Sequence, residues 1–432
     1  MVDFNKFGLH ADVLRAIGDL EFTKPTPIQS DAIPHAMAGR DLLACASTGS
    51  GKTAAFLLPI IQRLRQQPGR GTRALIITPT RELAAQIVEH AHALARHTRV
   101  RAAAVYGGVG MKPQQEALRR GVDIIVATPG RLLDHMQYDY TNFQKLEVLV
   151  LDEADRMLDM GFLPDIRRVL KSLPAGASRQ TLFFSATMPA PIVELSRELL
   201  NQPARINIER KSAPVQGLAQ ALYPVPQKLK PELLIELLKR DEIGNVIVFT
   251  RTKHRANRLY EKIERSGIAA ARIHGNRSQA QRTEALAGFK KGRYRVLVAT
   301  DIVARGIDIE ALDHVVNFDV PHTPDDYIHR VGRTARAEMT GDAFTFVAPE
   351  EEPLVRDIER ATQKKIERRV VKGFDYDRKH DEALEIPLAD RIAAIRARKR
   401  EERGRSEARA SGAVAPRRRQ PHRERQGRSA RP

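Results

Sequence analysis

The chain has 432 residues, more than one hydrophobic core usually holds, and its formal net charge of +19 predicts a polyanionic partner. Its only cysteine, Cys45, excludes a disulfide within the chain and suits a reducing cytosol. The N-terminus lacks the apolar core of a signal peptide, and the longest apolar run, AAFLLPII, is far short of the ~20 residues that span a bilayer. We therefore expect a soluble cytoplasmic protein with no membrane partner.

Residues 1–40 are predicted to form two short helices around a loop. LHADVLRAIGDL has apolar residues at helical spacing, and the prolines of KPTPIQ predict an extended segment that Gln29 closes. An amide such as that of Gln29 pairs bidentately with an adenine edge, and Phe22 could stack on the same base. Taken alone, an ordinary helix cap and a core residue are the simpler interpretation of this pair.

Residues 46–53 read ASTGSGKT between the apolar runs DLLAC and AAFLLPII, which is the order of strand, phosphate loop and helix. Backbone N–H groups of such a loop surround phosphate oxygens, Lys52 reaches the β- and γ-phosphates, and the Thr53 hydroxyl is a Mg²⁺ ligand. Ala46 replaces the first glycine of the usual pattern and keeps the loop small. The alternative is a chance Gly-Lys-Thr in a surface turn.

The segment from residue 73 to residue 187 repeats one pattern, in which a β-branched apolar run precedes a polar signature and a helical pattern. The pairs are RALIIT with PTRELA, VDIIVA with TPGR, LEVLVL with DEAD, and TLFF with SAT. Strands that alternate with helices predict right-handed crossovers and a parallel sheet, so each signature should lie on the same rim. Gly107 and Gly108, after AAAVY, could let a phosphodiester backbone approach closely.

LVLDEAD, at residues 149–155, predicts a buried strand that delivers Asp152 and Glu153 to the ligand-binding edge of this sheet. An Asp there can hold Mg²⁺, and the next Glu can orient a water for attack on a phosphate. An acidic helix start explains these carboxylates equally well when the segment is taken alone. Together with the phosphate loop upstream, the segment predicts a nucleotide triphosphatase.

The second half is predicted to repeat the first. We place a linker at 208–217, an entering strand at 218–223, and then the strands NVIVFT, IAAARIHG, RVLVAT and HVVNFD. Two segments are counterparts in the two halves, VDIIVATPGRLLD in the first and RVLVATDIVARGID in the second. The phosphate loop has no counterpart in the second half. HRVGRTAR, at residues 329–336, follows the last apolar strand run and is interpreted as the supplier of arginines to a γ-phosphate across a cleft. The alternative is a basic helix start on a solvated or RNA-facing surface.

The C-terminal region, residues 374–432, is predicted to be a basic, largely disordered tail. Residues 391–432 contain fifteen Arg or Lys and four Glu, a net +11, so they carry over half of the +19. LADRIAAIRARKREE could form one helix, but the remainder has no apolar period. Arg-rich tails bind nucleic acid more often than they merely solvate, and their affinity falls steeply with salt.

Together these motifs resemble the DEAD-box RNA helicases over residues 4–372, and the short N-terminus and Arg-rich tail are similar to the bacterial RhlE-like branch. The resemblance implies an α/β fold of two tandem RecA-like parallel-sheet domains, at 1–207 and 218–373, that close on ATP, Mg²⁺ and single-stranded RNA. The resemblance implies that Phe22 and Gln29 contact the adenine, and that Phe4 is the isolated aromatic residue upstream of them. Nucleotide contacts would also come from Thr48, Gly49, Ser50, Gly51, Lys52, Thr53 and Asp308.

The resemblance also implies roles at the other signatures. Asp152 would bind magnesium through water, Glu153 would activate the attacking water, and Arg333 and Arg336 would be arginine fingers. Ser185 and Thr187 would couple hydrolysis to domain closure. RNA-backbone contacts would come from Thr80, Arg81, Gly108, Thr128, Gly130, Arg131 and Thr300. Contacts of this type position RNA without reading its sequence.

Three positions depart from the family pattern: Glu21 and Ala335 each replace a Gly, and Ser47 stands where Gln is common. The leading hypothesis is an RNA-dependent ATPase that separates short RNA duplexes. Ribosome assembly, turnover of structured messages alongside a nuclease, and cold adaptation are all compatible with the resemblance. An ATP-gated RNA clamp or assembly scaffold has the same motifs, and a DNA helicase remains a third hypothesis. The positive charge disfavours a protein-remodelling ATPase that works without nucleic acid.

Overall fold

The structure is a computed structural model that describes residues 3–46, 49–66, 71–174, 179–207, 218–301, 312–334 and 341–378. The predicted linker at 208–217 and the predicted tail from residue 379 onward lie outside these residues. None of the helices in the described ranges combines the length and hydropathy that crossing a bilayer requires.

The first half of the chain forms a seven-stranded parallel sheet in the order β3-β4-β2-β5-β6-β1-β7. Its strands are β1 Leu42–Cys45, β2 Ala74–Ile77, β3 Ala102–Val105, β4 Ile124–Ala127, β5 Val148–Leu151, β6 Gln180–Ser185 and β7 Ala204–Asn207. Its helices are α1 Ala11–Asp19, α2 Pro27–Met37, α3 Lys52–Gln66, α4 Arg81–Leu94, α5 Met111–Arg120, α6 Pro129–Met136, α7 Ala154–Asp159, α8 Leu163–Lys171 and α9 Ala190–Leu199, after a 3₁₀ turn at Phe4–Phe7.

The second half forms another seven-stranded parallel sheet, in the order β10-β11-β9-β12-β13-β8-β14. Its strands are β8 Leu218–Pro224, β9 Val246–Thr250, β10 Ala270–Ile273, β11 Val296–Thr300, β12 His314–Asn317, β13 Gly341–Val347 and β14 Glu367–Arg368. Its helices are α10 Lys230–Lys239, α11 Lys253–Arg265, α12 Gln279–Lys290, α13 Pro324–Val331 and α14 Glu352–Thr362, with 3₁₀ turns at Gln227–Leu229 and Pro349–Glu351.

The two sheets have the same strand order when each is numbered from its own first strand. Both faces of each sheet are covered, which explains why the strands are continuous apolar runs. In β2, for example, Ala74 and Ile76 pack into the core on one face, whereas Leu75 and Ile77 pack into the core on the other. The predicted pairing of the βα repeats in the two halves is therefore present in the fold.

Three details of the predicted elements were wrong. Pro27 begins α2, so Gln29 lies inside a helix and does not close an extended segment; proline fits the first helical position because its missing N–H needs no partner there. His314–Asn317 is not the last apolar strand, because β13 follows it and lies between β12 and β8. His329 lies near the end of α13, not at a helix start, because Thr323 caps that helix and Pro324 begins it.

Candidate functional site

The phosphate loop joins β1 to α3, and Gln29 holds it from the side. The Gln29 amide nitrogen donates to the Gly51 carbonyl oxygen at 3.1 Å, and the Gln29 side-chain oxygen accepts from the Thr26 N–H at 3.0 Å. Gly51 has a φ of +94°, and a Cβ there would lie 2.6 Å from the Gln29 amide nitrogen. Glycine at this position is therefore required both by backbone conformation and by the close approach of Gln29.

The two predicted aromatic residues of the N-terminal region differ in accessibility. Phe22 is 41% exposed, so its ring is available to a ligand, whereas Phe4 is buried in the core of the first sheet. Gly49 and Ser50 lie in the described part of the loop, and Thr53 lies in the first turn of α3. Thr48 lies outside the described residues.

Lys52 is the first residue of α3, and its ammonium group is buried without a hydrogen-bond partner among the described residues. The side chain lines an open cavity of about 390 Å³ whose other walls include Glu153, Asp155 and Thr187. A buried cation with no protein acceptor is costly unless an anion completes the site. The position of Lys52 at a helix N-terminus favours a phosphate as that anion.

Asp152 and Glu153 follow β5 and are buried, and Glu153 lines this cavity. Burial raises the pKa of Asp152, although the nearby Lys52 opposes that shift. Burial also acts on Glu153, but the positive charges of Arg156, Lys52 and Arg333 together lower its pKa below the usual value. Glu153 has the left-handed backbone conformation, with a φ of 53°, a strained arrangement typical of functional turns.

The carboxylate of Asp155 connects the end of β5 to the end of β6. One of its oxygens accepts from the Thr187 backbone N–H at 2.7 Å and from the Thr187 hydroxyl at 2.8 Å. The Ser185 hydroxyl donates to the Thr187 carbonyl oxygen at 2.7 Å and accepts from the Asp155 N–H. The predicted coupling residues Ser185 and Thr187 are thus joined to the acidic signature by direct hydrogen bonds.

The chain neighbours of the lining residues Lys52 and Glu153 fit a magnesium ion. Mg²⁺ usually takes one or two protein oxygen ligands and completes its coordination with substrate phosphates and water. Asp152 supplies a buried carboxylate and Thr53 a hydroxyl. In the described ranges no group of three or more His, Cys, Asp or Glu residues could hold a metal ion by itself. The donor set therefore matches an ion that is held jointly by protein and phosphate.

Arg333 brings the second sheet to the same cavity. It follows α13, is 5% exposed, and with Asp325 and His329 lines the cavity that Lys52 and Glu153 also line. An arginine so placed can stabilise negative charge that develops on a phosphate bound at Lys52. Asp308, Ala335 and Arg336 lie outside the described residues.

The predicted RNA contacts of the first sheet gather at the carboxyl ends of β2, β3 and β4. Thr80 caps α4 and Arg81 is its first residue, while Thr128 precedes α6, which contains Gly130 and Arg131. A Cβ at Gly108 would lie 1.9 Å from an Arg81 guanidinium nitrogen. The close approach predicted at Gly108 is therefore made by a side chain of the protein itself.

Two features escaped the sequence analysis. Arg330 is 2% exposed and forms a bidentate ion pair with Asp301, with N–O distances of 2.6 and 2.7 Å. Glu82 of α4 accepts from the Gln279 amide at 3.0 Å and pairs with Arg282 at 2.6 Å, which links the first sheet to α12 of the second. No local pattern marks either contact, because the partners are distant in the chain.

Thr300, the predicted RNA contact of the second sheet, ends β11 and is 8% exposed.

Comparisons with known proteins agree with this architecture. Residues 26–195 match the family model "DEAD/DEAH box helicase", and residues 229–338 match "Helicase conserved C-terminal domain". The chain is 42% identical over 368 residues to the DEAD-box ATP-dependent RNA helicase CshA of Bacillus cereus, covering 85% of this chain and 70% of the relative. The CshA of Bacillus subtilis is 41% identical over 367 residues, covering 85% and 74%.

Two solved structures resemble this one across both sheets. S. cerevisiae Dbp5 bound to RNA and ADP BeF3 is 30% identical, with a TM-score of 0.77 and coverage of 85% of this chain and 95% of Dbp5. The DEAD-box helicase Mss116 bound to ssRNA and UDP-BeF is 28% identical, with a TM-score of 0.78 and coverage of 87% and 81%. The predicted fold class of two tandem RecA-like parallel-sheet domains is confirmed.

Proposed function

Because the chain belongs to the DEAD-box family of ATP-dependent RNA helicases, we propose that it closes two RecA-like domains on ATP and single-stranded RNA. Closure locally separates short RNA duplexes or remodels RNA–protein complexes. One observation carries this proposal: a single cavity is lined by Lys52 and Glu153 from the first sheet and by Arg333 from the second. A site divided in this way is complete only while both domains are in contact, so nucleotide chemistry and domain closure depend on each other.

The nucleotide chemistry follows from the groups that line this cavity and from their neighbours in the chain. Lys52 and the α3 N-terminus bind the β- and γ-phosphates, and Phe22 stacks on the base. Asp152 and Thr53 hold Mg²⁺, which neutralises phosphate charge when bound. Glu153 remains anionic beside Arg156 and Lys52, so it can accept a hydrogen bond from the attacking water and orient it toward the γ-phosphorus. Arg333 stabilises the charge on the transferred phosphoryl group, together with Arg336, which lies outside the described residues.

RNA binding is proposed at the carboxyl rim of the two sheets. Thr80, Arg81 and Thr128 lie at the N-termini of α4 and α6, where backbone N–H groups and the helix dipole favour phosphate oxygens. Gly108, Gly130 and Arg131 extend this surface on the first sheet. Thr300 supplies the contact from the second. Recognition of phosphate and 2′-hydroxyl groups makes binding largely independent of sequence.

We further propose domain bounds of 1–207 and 218–373, a linker at 208–217, and a tail at 374–432 that binds RNA through its Arg-rich composition. Deleting residues 374–432 should weaken binding of a tailed duplex and flatten its salt dependence. Unchanged affinity would contradict the role of the tail. The proposal also includes membership in the RhlE-like branch and a cytoplasmic location. It includes a role on ribosomal precursors or beside RNA-degrading enzymes as well.

Strand separation tests the proposed function against the clamp alternative. A short RNA duplex with a single-stranded extension is mixed with the full-length protein and ATP, and released strand is measured over time. The proposal predicts ATP-dependent release, with much slower release for Glu153→Gln. Long-lived complexes without strand release would support the ATP-gated clamp, and equal release of a DNA duplex would support a general nucleic-acid motor.

A further inference from the structure

Lys52 has a positional counterpart in the second sheet. Lys52 is the first residue of α3, the helix after β1, and Lys230 is the first residue of α10, the α-helix after β8. β1 and β8 hold the same place in the two identical strand orders. The loops that precede the two lysines differ, since the second contains no phosphate-loop signature. The two sheets thus present a lysine at the same point of the fold in different settings.

Lys230 is saturated by partners within the protein. Its side chain is 0% exposed, and its ammonium group donates to the carbonyl oxygens of Phe318 and Phe346, each at 2.9 Å. Its third donor pairs with the carboxylate of Glu351. An ammonium group has three N–H donors, so none is left for a phosphate. Lys230 therefore holds the ends of β12 and β13 together and fixes Glu351.

Glu351 extends this arrangement toward the surface. The oxygen that pairs with Lys230 also accepts from the Ala348 N–H at 3.1 Å. Its other oxygen accepts from an Arg251 terminal nitrogen at 3.1 Å. The Arg251 backbone N–H donates to the buried Asp319 at 2.8 Å, and Asp319 also pairs with Arg255. Both the backbone and the guanidinium of Arg251 are thus held by buried carboxylates.

Arg251 lies at the carboxyl rim of the second sheet. It follows Thr250, whose partner across the β9–β11 pairing is Thr300, the predicted RNA contact. Its side chain is 34% exposed. One terminal nitrogen serves Glu351 and the Val320 carbonyl oxygen, while the other terminal nitrogen and Nε have no protein partner in the described ranges. The side chain thus keeps donors available to solvent at this rim.

The cluster also carries a surplus of positive charge at this rim. Lys230, Arg251 and Arg255 contribute three positive charges, and Glu351 and Asp319 contribute two negative ones. The balance is one positive charge, and the exposed member of the cluster is Arg251. A fixed guanidinium with free donors is suited to a phosphate oxygen.

We propose that Arg251 contacts the RNA backbone beside Thr300, and that Lys230 and Glu351 are positioning residues that fix its guanidinium for that contact. Lys230, at the position in the second sheet that corresponds to Lys52, thus orients an RNA contact. Lys52, at that position in the first sheet, binds nucleotide. This inference rests on the proposed RNA-binding function.

The test measures binding of a fluorescently labelled single-stranded RNA to full-length variants by anisotropy, with and without a non-hydrolysable ATP analogue. Arg251→Gln should weaken the analogue-dependent affinity about three- to fivefold, the range for one partly exposed ion contact. The slope of log affinity against log salt should fall by about 0.7, as expected for one lost phosphate contact on a single strand. Arg240→Gln is the matched control, because Arg240 is 33% exposed and also pairs with a glutamate, Glu236, but lies at the far end of α10.

The positioning role is tested with Glu351→Asp, which keeps the buried charge beside Lys230 but shortens the reach toward Arg251. Glu351→Asp alone should weaken RNA binding, and it should add nothing in the Arg251→Gln background. Additive effects would overturn the positioning role. Equal affinity and salt slope for Arg251→Gln and Arg240→Gln, with RNA bound normally by the unaltered protein, would overturn the inference alone. Failure of the unaltered protein to bind RNA would overturn the proposed function together with it.

Discussion

The two parallel sheets have the same strand order. In each sheet a lysine begins the α-helix after the first strand, but the surroundings of the two lysines differ. Lys52 has no hydrogen-bond partner among the described residues and faces a cavity, whereas Lys230 has all three donors occupied inside the protein. Topology therefore determines where a functional group can lie, and the local partners determine whether it binds a ligand or stabilises the fold. In the proposed function the first sheet binds nucleotide, and Arg333 of the second sheet lines the same cavity as Lys52.

Replacing Arg333 tests the contribution of the second sheet to the nucleotide site. Arg333→Lys keeps a positive charge but loses the planar fork that matches a phosphoryl group, so we expect kcat for RNA-stimulated ATP hydrolysis to fall by roughly 10³. Steady-state phosphate release at saturating ATP and RNA measures the effect. A reduction below about fivefold would mean that Arg333 only lines the cavity.

Replacing each lysine by methionine tests the comparison itself. Lys52→Met should reduce ATP hydrolysis by about 10²–10³, because it removes a preorganised donor, while the free energy of unfolding changes by about 1 kcal/mol or less. Lys230→Met should lower the free energy of unfolding by about 3–5 kcal/mol, because Glu351 loses its buried cation and is left with the partly exposed Arg251. Denaturant unfolding and ATPase assays on both variants check these outcomes. If both variants lose activity with equal destabilisation, the contrast between the lysines is wrong.

The contact between the sheets should affect RNA stimulation. Glu82→Gln removes the charge that pairs with Arg282, both of them buried, so the RNA concentration for half-maximal stimulation should rise roughly tenfold, which is about 1.4 kcal/mol. Arg167→Gln is the control, since Arg167 pairs with Glu198 on the exposed surface of the first half and should have little effect. Equal values for the two variants would show that the Glu82 contact does not support closure.

A smaller effect is expected from His274, at the rim of the second sheet. Burial and the positive charges of Arg272 and Arg277, with smaller contributions from Lys253 and His254, lower its pKa from 6.5 to about 4. Because the folded protein disfavours the charged form, this contribution to stability is complete above pH 6.5 and is lost as the pH falls toward 4. His274→Gln should reduce that loss by at most about 3 kcal/mol. The difference between the unfolding free energies measured at pH 7 and pH 4.5 should therefore be smaller in the variant than in the unaltered protein.

Much of the fold could be predicted from sequence because parallel strands buried on both faces are continuous apolar runs, as in VDIIVA and RVLVAT. Each polar signature after such a strand must lie on the carboxyl rim, which explains why Lys52, Asp152 and Glu153 could be brought together in advance. The exact start of α2 and of α13 was missed, although Thr26-Pro27 and Thr323-Pro324 are cap and first-turn signals for both helices.

The missed contacts have a different cause. Glu82 with Arg282, Arg330 with Asp301 and Lys230 with Glu351 are long-range ion pairs, and no local spacing links their members. Lys230 lies in a helical pattern and has no signature, so its equivalence to Lys52 becomes visible only from the sheet order. Long-range pairing of charges depends on tertiary packing, which a single sequence does not encode in any short pattern.

RNA dependence of ATP hydrolysis tests the central claim most directly. Steady-state hydrolysis should be measured for the full-length protein without nucleic acid, with single-stranded RNA and with DNA of the same sequence, and Glu153→Gln serves as the control. We predict strong stimulation by RNA, weak stimulation by DNA, and loss of the RNA-stimulated rate in Glu153→Gln. Hydrolysis that is equally fast with and without RNA would contradict the claim that nucleotide chemistry depends on closure of the two domains on RNA.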